Sequence, residues 1–274
     1  MKEKVSILGC GWLGTAVAKR LIVAGYTVRV SAATPSHVEE LEDSGFDAYR
    51  VLVHPEYLEV DDPAFFDCDV LMISIPPKRI DTIETVFPSQ VSQIINKVKE
   101  HAIQKVVFIS STSVYESKGT IVKEGEEGEP EKASGRALLK SELMLLAQTE
   151  FQSTILRFGG LIGGTRNPAR FLSRRSEVPA HTPVNLIHQD DCVNIIQQII
   201  EKNVWNEIFN ASSPVHPTRK EFYTRAAEVS GLPAPGFTDK EEPYKIVSSD
   251  KLIKRLGYRF VYESPVDYLN DIEP

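Results

Sequence analysis

Cysteine is scarce in this chain: three in 274 residues (Cys10, Cys68 and Cys192), far apart and with no CxxC pair. So sparse and odd a set argues against a disulfide framework and fits a reducing compartment, which makes the cytoplasm the expected location. Long apolar runs are missing too; none approaches the roughly 20 residues that span a bilayer, so no membrane association is expected. Basic residues do not dominate, with 31 Lys and Arg against 38 Asp and Glu and a net charge of −7. A nucleic-acid partner is therefore not expected. Six histidines without paired spacing argue against structural zinc, and no metal is expected. The opening MKEKVSILGCGWLG has the lysines and apolar residues of a signal peptide, but Gly9, Gly11 and Gly14 break the run and Lys19-Arg20 interrupts it again. It reads better as a first strand.

What is present is an alternation of short apolar runs with helical periodicity. Val5 to Leu8 reads as a buried strand, and Leu13, Val17 and Leu21 mark one face of a helix that Gly25 ends. Further strands are expected at Tyr26 to Val30, Val70 to Ile75, Val106 to Ser110 and Thr154 to Arg157. Helical spacing runs through Val91 to Val98 and through 137–147. Strands alternating with helices imply right-handed crossovers and a parallel sheet covered on both faces, an α/β doubly wound fold.

After Gly164 the pattern changes. Asn167-Pro168 predicts a helix start, with the helix continuing to about Arg175. Val184 to Ile187 predicts a short strand, 190–201 a helix with an acidic first turn, and Ile208 to Asn210 another strand. Thr218 with Glu221 three residues on predicts a capping box that opens a helix to Ser230, ended by Gly231. The acidic stretch Glu124 to Glu131 reads as a solvated loop. The expected organisation is a Rossmann domain at 1–164 to which 186–212 return, and a small discontinuous α+β lobe at 165–185 and 213–274. The substrate cleft is expected between them, at the carboxyl ends of the strands.

Gly9-Cys10-Gly11-Trp12-Leu13-Gly14 spells GxGxxG between a strand and an amphipathic helix. The chemistry needs glycine for a tight turn, for the approach of a pyrophosphate to the backbone, and for close helix-sheet packing. The phosphates would lie on amides at the helix N-terminus, where the dipole favours anions. An NAD site usually places an acid at the end of the second strand. Here Val30-Ser31-Ala32-Ala33-Thr34 carries no carboxylate before Glu39. NADP is therefore expected, with NAD the alternative. Ser31, Thr34 or Arg29 would take the 2′-phosphate, unless Arg29 is an ordinary strand residue facing solvent.

Phe108 to Tyr115 (FISSTSVY), Lys140 in a helix, Leu156 to Gly164 (LRFGGLIGG), Asn185 to Ile196 (NLIHQDDCVNII), Asn206 to Ser213 (NEIFNASS) and Lys251 to Phe260 (KLIKRLGYRF) carry a resemblance. Together they resemble, nearly end to end and in the same order, the extended short-chain dehydrogenase/reductase superfamily, its NAD-dependent epimerase/dehydratase group. GCGWLG with STSVY most resembles the YeeZ-like, atypical branch. The resemblance implies a tyrosine general base four residues before a lysine, which lowers the tyrosine pKa and holds the nicotinamide ribose, while a Ser or Thr hydrogen-bonds the reacting oxygen. Lys140 and Ser111 (or Thr112) fall at the matching positions. Arg136 stands where the tyrosine belongs, and a guanidinium offers no acceptor and stays protonated. Glu116 replaces the glycine that usually follows Val-Tyr.

Candidate catalytic residues are therefore Ser111, Thr112, Tyr115 and Lys140, with Tyr115 either a displaced phenol or a packing residue and Lys140 either a ribose contact or a solvated position. Candidate cofactor contacts are Gly9, Gly11, Trp12, Leu13, Gly14, Ser31, Thr34, Ile75, Pro76, Ser110, Lys140 and Phe158. The serines from Ser110 to Ser113 have a second reading as the terminator of a strand. His188 with Asp190 and Asp191 is either an acid/base pair or a capped helix start. Arg136, with Arg166, Arg170 and Arg174 at four-residue intervals, suggests an anionic substrate held by Ser111, Arg136, Arg166 and Arg170, against a solvated basic face. Two functions follow: an NAD(P)-dependent oxidoreductase or epimerase on a small polar metabolite, or a dinucleotide-binding sensor or regulatory protein that does no chemistry. The resemblance also implies a homodimer, since members often pair through helices flanking the sheet.

Overall fold

The computed structural model describes residues 2–173 and 175–271. In chain order, β1 (Lys4–Leu8), α1 (Trp12–Val23), β2 (Thr27–Ala32), α2 (Pro35–Asp43), β3 (Asp47–Val53), β4 (Leu58–Val60), β5 (Val70–Ile73), α3 (Ile83–Glu100) and β6 (Lys105–Ser111) come first. Then follow β7 (Thr120–Val122), α4 (Ala133–Leu146), β8 (Gln152–Phe158), β9 (Gly160–Ile162), α5 (Ala169–Leu172), β10 (Val178–Pro179), β11 (Leu186–His188) and α6 (Gln189–Glu201). The chain finishes with β12 (Ile208–Ala211), α7 (Arg219–Val229), β13 (Phe237–Thr238), β14 (Lys245–Val247), α8 (Asp250–Leu256) and α9 (Pro265–Asn270). They group into two compact units: 1–114, 129–156 and 196–208 in one, and 115–128, 157–195 and 209–274 in the other.

The sheet runs in the order β12-β8-β6-β5-β1-β2-β3-β4. The pairs β1·β2, β1·β5, β2·β3 and β5·β6 are parallel, and the short β4 runs antiparallel to β3. Central strands are buried on both faces, so their residues are apolar in succession rather than alternating. Val70, Leu71, Met72 and Ile73 of β5 and Val106, Val107 and Phe108 of β6 are all fully buried. Leu13, Val17, Ala18 and Leu21 of α1 and Phe87, Val91, Ile94, Ile95 and Val98 of α3 are buried too. Each of these valine, leucine, isoleucine, methionine and phenylalanine side chains contributes on the order of 2 kcal/mol. The strand order reverses at β1: the chain winds outward through β2, β3 and β4, then returns to β5 on the other flank. Such a reversal opens a crevice at the carboxyl ends of the two strands, where α/β sheets take ligands.

The second unit holds three two-stranded parallel ladders, β9·β11, β10·β13 and β7·β14. Its core gathers Ile162, Ala169, Val184, Leu186, Phe222, Tyr223, Ala226 and Leu269. The expected capping box on α7 is present: Thr218 accepts the Glu221 N–H and Glu221 accepts the Thr218 N–H. Other expectations need correction. The strand expected at Val70 to Ile75 stops at Ile73, and the strand expected at Val184 to Ile187 runs Leu186–His188. The helix expected to reach Arg175 is the single turn α5, and Arg174 lies outside the described residues. The acidic stretch is not a free solvated loop, because Glu127 pairs with the buried Arg157 guanidinium at 2.6 Å and Glu124 accepts the Asn210 N–H at 2.7 Å.

Candidate functional site

The glycine loop stands at the carboxyl end of β1. Gly9 has φ +92°, and a Cβ there would lie 2.8 Å from the Ile75 side chain just beyond β5. A Cβ on Gly14 would approach the Gly9 carbonyl to 3.0 Å and Ile7 to 3.3 Å, so this glycine lets α1 press against β1. Gly11, by contrast, faces open space: a Cβ would meet nothing within 4 Å. No side chain caps the N-terminus of α1, and its first turn carries no acid. The first amides of a helix have no partners within it, and the dipole there favours an anion. An uncapped, acid-free helix start under an open glycine fits the diphosphate of a dinucleotide. Gly11, Trp12, Leu13 and Gly14 would hold it.

Ser31 closes the floor of this loop, buried, with its hydroxyl accepting the Gly9 N–H at 3.2 Å and its carbonyl accepting the Cys10 N–H at 2.7 Å. Thr34 is exposed as the N-cap residue of α2, which begins with Pro35 and has no acid in its first turn. Arg29 is neither a phosphate ligand in waiting nor an ordinary solvent-facing strand residue. Its guanidinium donates to the carbonyls of Ala64 and Asp67 at 2.7 and 2.6 Å and pairs with Asp47 at 3.4 Å.

Ser111 ends β6. Its Oγ accepts the Ser113 N–H at 3.1 Å, so its own proton remains to be donated. It opens onto a cavity of about 570 Å³ that it shares with Pro76, Pro77, Lys78, Arg79, Ser113, Ser134 and Leu138. Ile75 against Gly9 and Pro76 beside Ser111 thus join the glycine loop to the serine cluster. Ser110 points the other way, donating to the fully buried carboxylate of Glu142 on α4. Thr112 is buried in the 3-10 turn that follows β6. That turn is braced by Gly135, where a Cβ would fall 2.3 Å from the Ser113 carbonyl. Lys140 is exposed on α4, one turn beyond Arg136.

Arg136 does not line the cavity. Its guanidinium donates to the carbonyls of Pro130 and Glu131 at 2.8 and 3.1 Å and pairs with Glu84 of α3 at 2.6 Å. Other cations line it instead. Lys78 and Arg79, on the loop after β5, line the cavity with Ser111. They escaped the sequence reading because a lysine-arginine pair after two prolines looks like any exposed loop.

The remaining candidates lie in the second unit. Tyr115 is fully buried, accepting a hydrogen bond from Arg157 at 2.7 Å and donating to Asn210 Oδ1 at 2.7 Å. Burial pushes its hydroxyl up to about 12, against the pull of the Arg157 charge. A phenol so engaged and so reluctant to ionise is a packing residue and not a displaced base. Phe158 is buried near the end of β8. Arg166 and Arg170 are exposed but share no helix: Arg166 closes a turn onto the Gly163 carbonyl, and Arg170 lies in α5. Asp191 is fully buried and accepts from the Tyr258 hydroxyl at 2.7 Å and the N–H groups of Val261 and Tyr262 at 2.7 and 3.3 Å. Burial holds the His188 imidazole below the usual histidine range, and its Nδ1 accepts the Asp190 N–H at 3.2 Å. His188 and Asp191 therefore anchor chain segments, and the acid/base alternative lapses. Among the described residues no three metal-ligating side chains gather, and no helix is long and apolar enough to cross a membrane.

Comparison with known proteins agrees with this geometry. Residues 9–202 match a family described as NAD(P)H-binding. Over 268 residues the chain is 32% identical to protein YeeZ of Escherichia coli (strain K12), covering 96% of this chain and 98% of that one. Among solved structures it resembles the UDP-N-acetylglucosamine 4-epimerase of Bacillus cereus, at TM-score 0.79 and 15% identity over 98% of both chains. It also resembles a short-chain dehydrogenase/reductase superfamily protein of Agrobacterium tumefaciens with bound NAD, at TM-score 0.77 and 16% identity over 98% of this chain and 95% of that one. At such identities the structural likeness is one of fold.

Proposed function

The chain belongs to the NAD(P)H-binding family, as a homologue of YeeZ, and from that premise we propose that it is an NADP-dependent oxidoreductase or epimerase acting on a small polar, anionic metabolite. The observation that carries this reading is the uncapped start of α1 under Gly11, joined through Ile75 and Pro76 to the cavity onto which Ser111 opens. NADP, when bound, supplies the hydride chemistry; the chain supplies position and hydrogen bonds. Ser111 donates to the reacting oxygen, since its Oγ accepts from the Ser113 N–H and its proton is left to give. Lys140 holds a ribose hydroxyl. With Arg136 committed to Glu84, the proton comes from water or from the substrate's own hydroxyl rather than from a phenol.

The preference for NADP rests on the end of β2, where exposed Ala33 and Thr34 lead into an acid-free helix start that suits a 2′-phosphate. The cytoplasm suits three cysteines that are all free.

A second reading, a dinucleotide-responsive sensor without turnover, is favoured by one observation: an arginine paired with Glu84, and no phenol, stands one turn before Lys140, and the Tyr115 hydroxyl is buried and engaged by Arg157 and Asn210. The two readings part in one experiment. NADPH is titrated into the protein by calorimetry, and its oxidation is then followed at 340 nm over a panel of carbonyl compounds that includes oxo acids and sugar phosphates. Binding with turnover supports the enzyme, and binding without any supports the sensor. Absence of heat with NADPH, NADP, NADH and NAD defeats both.

A further inference from the structure

The cavity below Ser111 has a chemistry of its own. It lies wholly within the first unit, between the loop after β5, the end of β6 and the first turns of α4. Three hydroxyl-bearing residues line it, Ser111, Ser113 and Ser134, and two neighbouring cations, Lys78 and Arg79. Neither cation has an ion pair or a hydrogen bond to its side chain among the described residues, whereas Arg29, Arg50, Arg136, Arg157 and Arg219 are all held by carboxylates. Asp81 shares the lining and offsets one charge of the two, leaving a positive excess. The volume, about 570 Å³, falls in the range that takes small ligands.

Resting on the dinucleotide reading above, we propose that Lys78 and Arg79 form the anion subsite of the substrate pocket. They would hold a carboxylate or phosphate of the substrate while Ser111 donates to its reacting oxygen. Guanidinium and ammonium differ in what they offer: Arg79 supplies a planar fork for two oxygens of one anion, and Lys78 a compact point charge beside it. The substrate is then a hydroxy or oxo compound whose anionic group lies within a few bonds of the reacting carbon. Arg136, the cation that the sequence puts forward for this task, is replaced in it by residues of another loop. The chain's negative net charge makes the local reversal of sign the more telling, since an anion approaching at random meets mostly carboxylates.

The test is calorimetry on the full chain with inorganic phosphate and, separately, malonate as probes, each titrated with and without saturating NADPH. It uses wild type, Lys78→Ala/Arg79→Ala, and the charge-keeping Lys78→Arg/Arg79→Lys. Both cations are exposed, so the variants should fold, and thermal melts check this. We expect wild type to bind at least one probe with NADPH present and the double alanine variant to bind it about tenfold or more weakly. The charge-keeping variant should bind between the two, more weakly than wild type because the fork has moved and more tightly than the alanine variant because both charges remain, with NADPH affinity little changed throughout. Equal probe affinity in wild type and the alanine variant, or no heat with either anion in wild type, overturns the subsite. A protein that takes up phosphate through Lys78 and Arg79 yet binds no nicotinamide cofactor keeps the subsite and removes the dinucleotide reading. Whichever probe binds better identifies the anion as phosphate or carboxylate.

Discussion

A hydroxyl can donate to a substrate only if nothing nearer takes its proton. Ser110 gives its own to the buried Glu142 carboxylate, and Tyr115 gives its own to Asn210, whereas Ser111 accepts from the Ser113 amide and keeps its proton. Hydrogen-bond direction therefore separates three neighbours that a motif treats alike. Ser111→Ala should lower kcat/KM by about a hundredfold or more, as does loss of one donor from an oxyanion site, with NADPH affinity unchanged by calorimetry. A Ser110→Ala variant with the larger kinetic defect would reverse the assignment. Tyr115→Phe should leave turnover alone and destabilise the fold by about 1–3 kcal/mol, because Arg157 and Asn210 lose a buried partner. Denaturant unfolding beside steady-state rates checks both halves of that statement.

Elements are positioned by small residues and by charges at their ends. Gly135 lets α4 lie against the 3-10 turn after β6, and the atom a Cβ would strike is the Ser113 carbonyl, a backbone oxygen that cannot rotate aside. Gly135→Ala should therefore push α4 off the turn, costing about 1–3 kcal/mol and lowering kcat more than an equally destabilising change elsewhere. The 115–128 segment depends instead on an ion pair. Burial pushes the Glu127 carboxyl up, but Arg157 and the Gly125 N–H together hold it below the usual carboxylate range. A carboxyl depressed in the folded state contributes its full stability above its unfolded pKa of about 4.3 and loses that stability as the pH falls through the lower folded value. Hydrogen-exchange protection of 115–128 should accordingly fall off below about pH 4 in wild type. In Glu127→Gln it should be weak already at neutral pH and lose that acid dependence.

The elements also show what the sequence could and could not reveal. Apolar runs buried on both faces announce β1, β5 and β6, and the Thr218–Glu221 pair announces α7, because local chemistry decides each of them. By contrast α2, β3 and β4 carry mixed burial and no strong period; β3 and β4 take shape from pairing with β2 and with each other, and α2 from packing on β2 and β3. The site divides along the same line. GxGxxG is a local motif, so Gly9, Gly11 and Gly14 were legible. Lys78 and Arg79 gain meaning only because a loop after β5 is folded beside Ser111, and the commitments of Arg136 and Arg29 depend on carboxylates and carbonyls tens of residues away.

For the molecule as a whole, a cofactor that binds only the folded chain raises its stability by mass action, by about 2.7 kcal/mol at a hundredfold excess over Kd. Comparing melting temperatures with matched concentrations of NADPH and NADH thus reads cofactor preference without a substrate. The end of β2 presents Ala33 and Thr34 to solvent, followed by a helix whose dipole attracts a phosphate and whose first turn has no carboxylate to repel one. NADPH should therefore give the larger shift. Ala33→Asp would place a carboxylate where, on the NADP reading, the extra phosphate would lie. It should weaken NADPH binding about tenfold or more through like-charge repulsion while sparing NADH, whose ribose hydroxyls can donate to the new oxygens. The variant also excludes a trivial cause, since a general loss of folding would reduce both shifts together. A wild-type protein stabilised more by NADH than by NADPH would make it an NAD protein despite the missing acid.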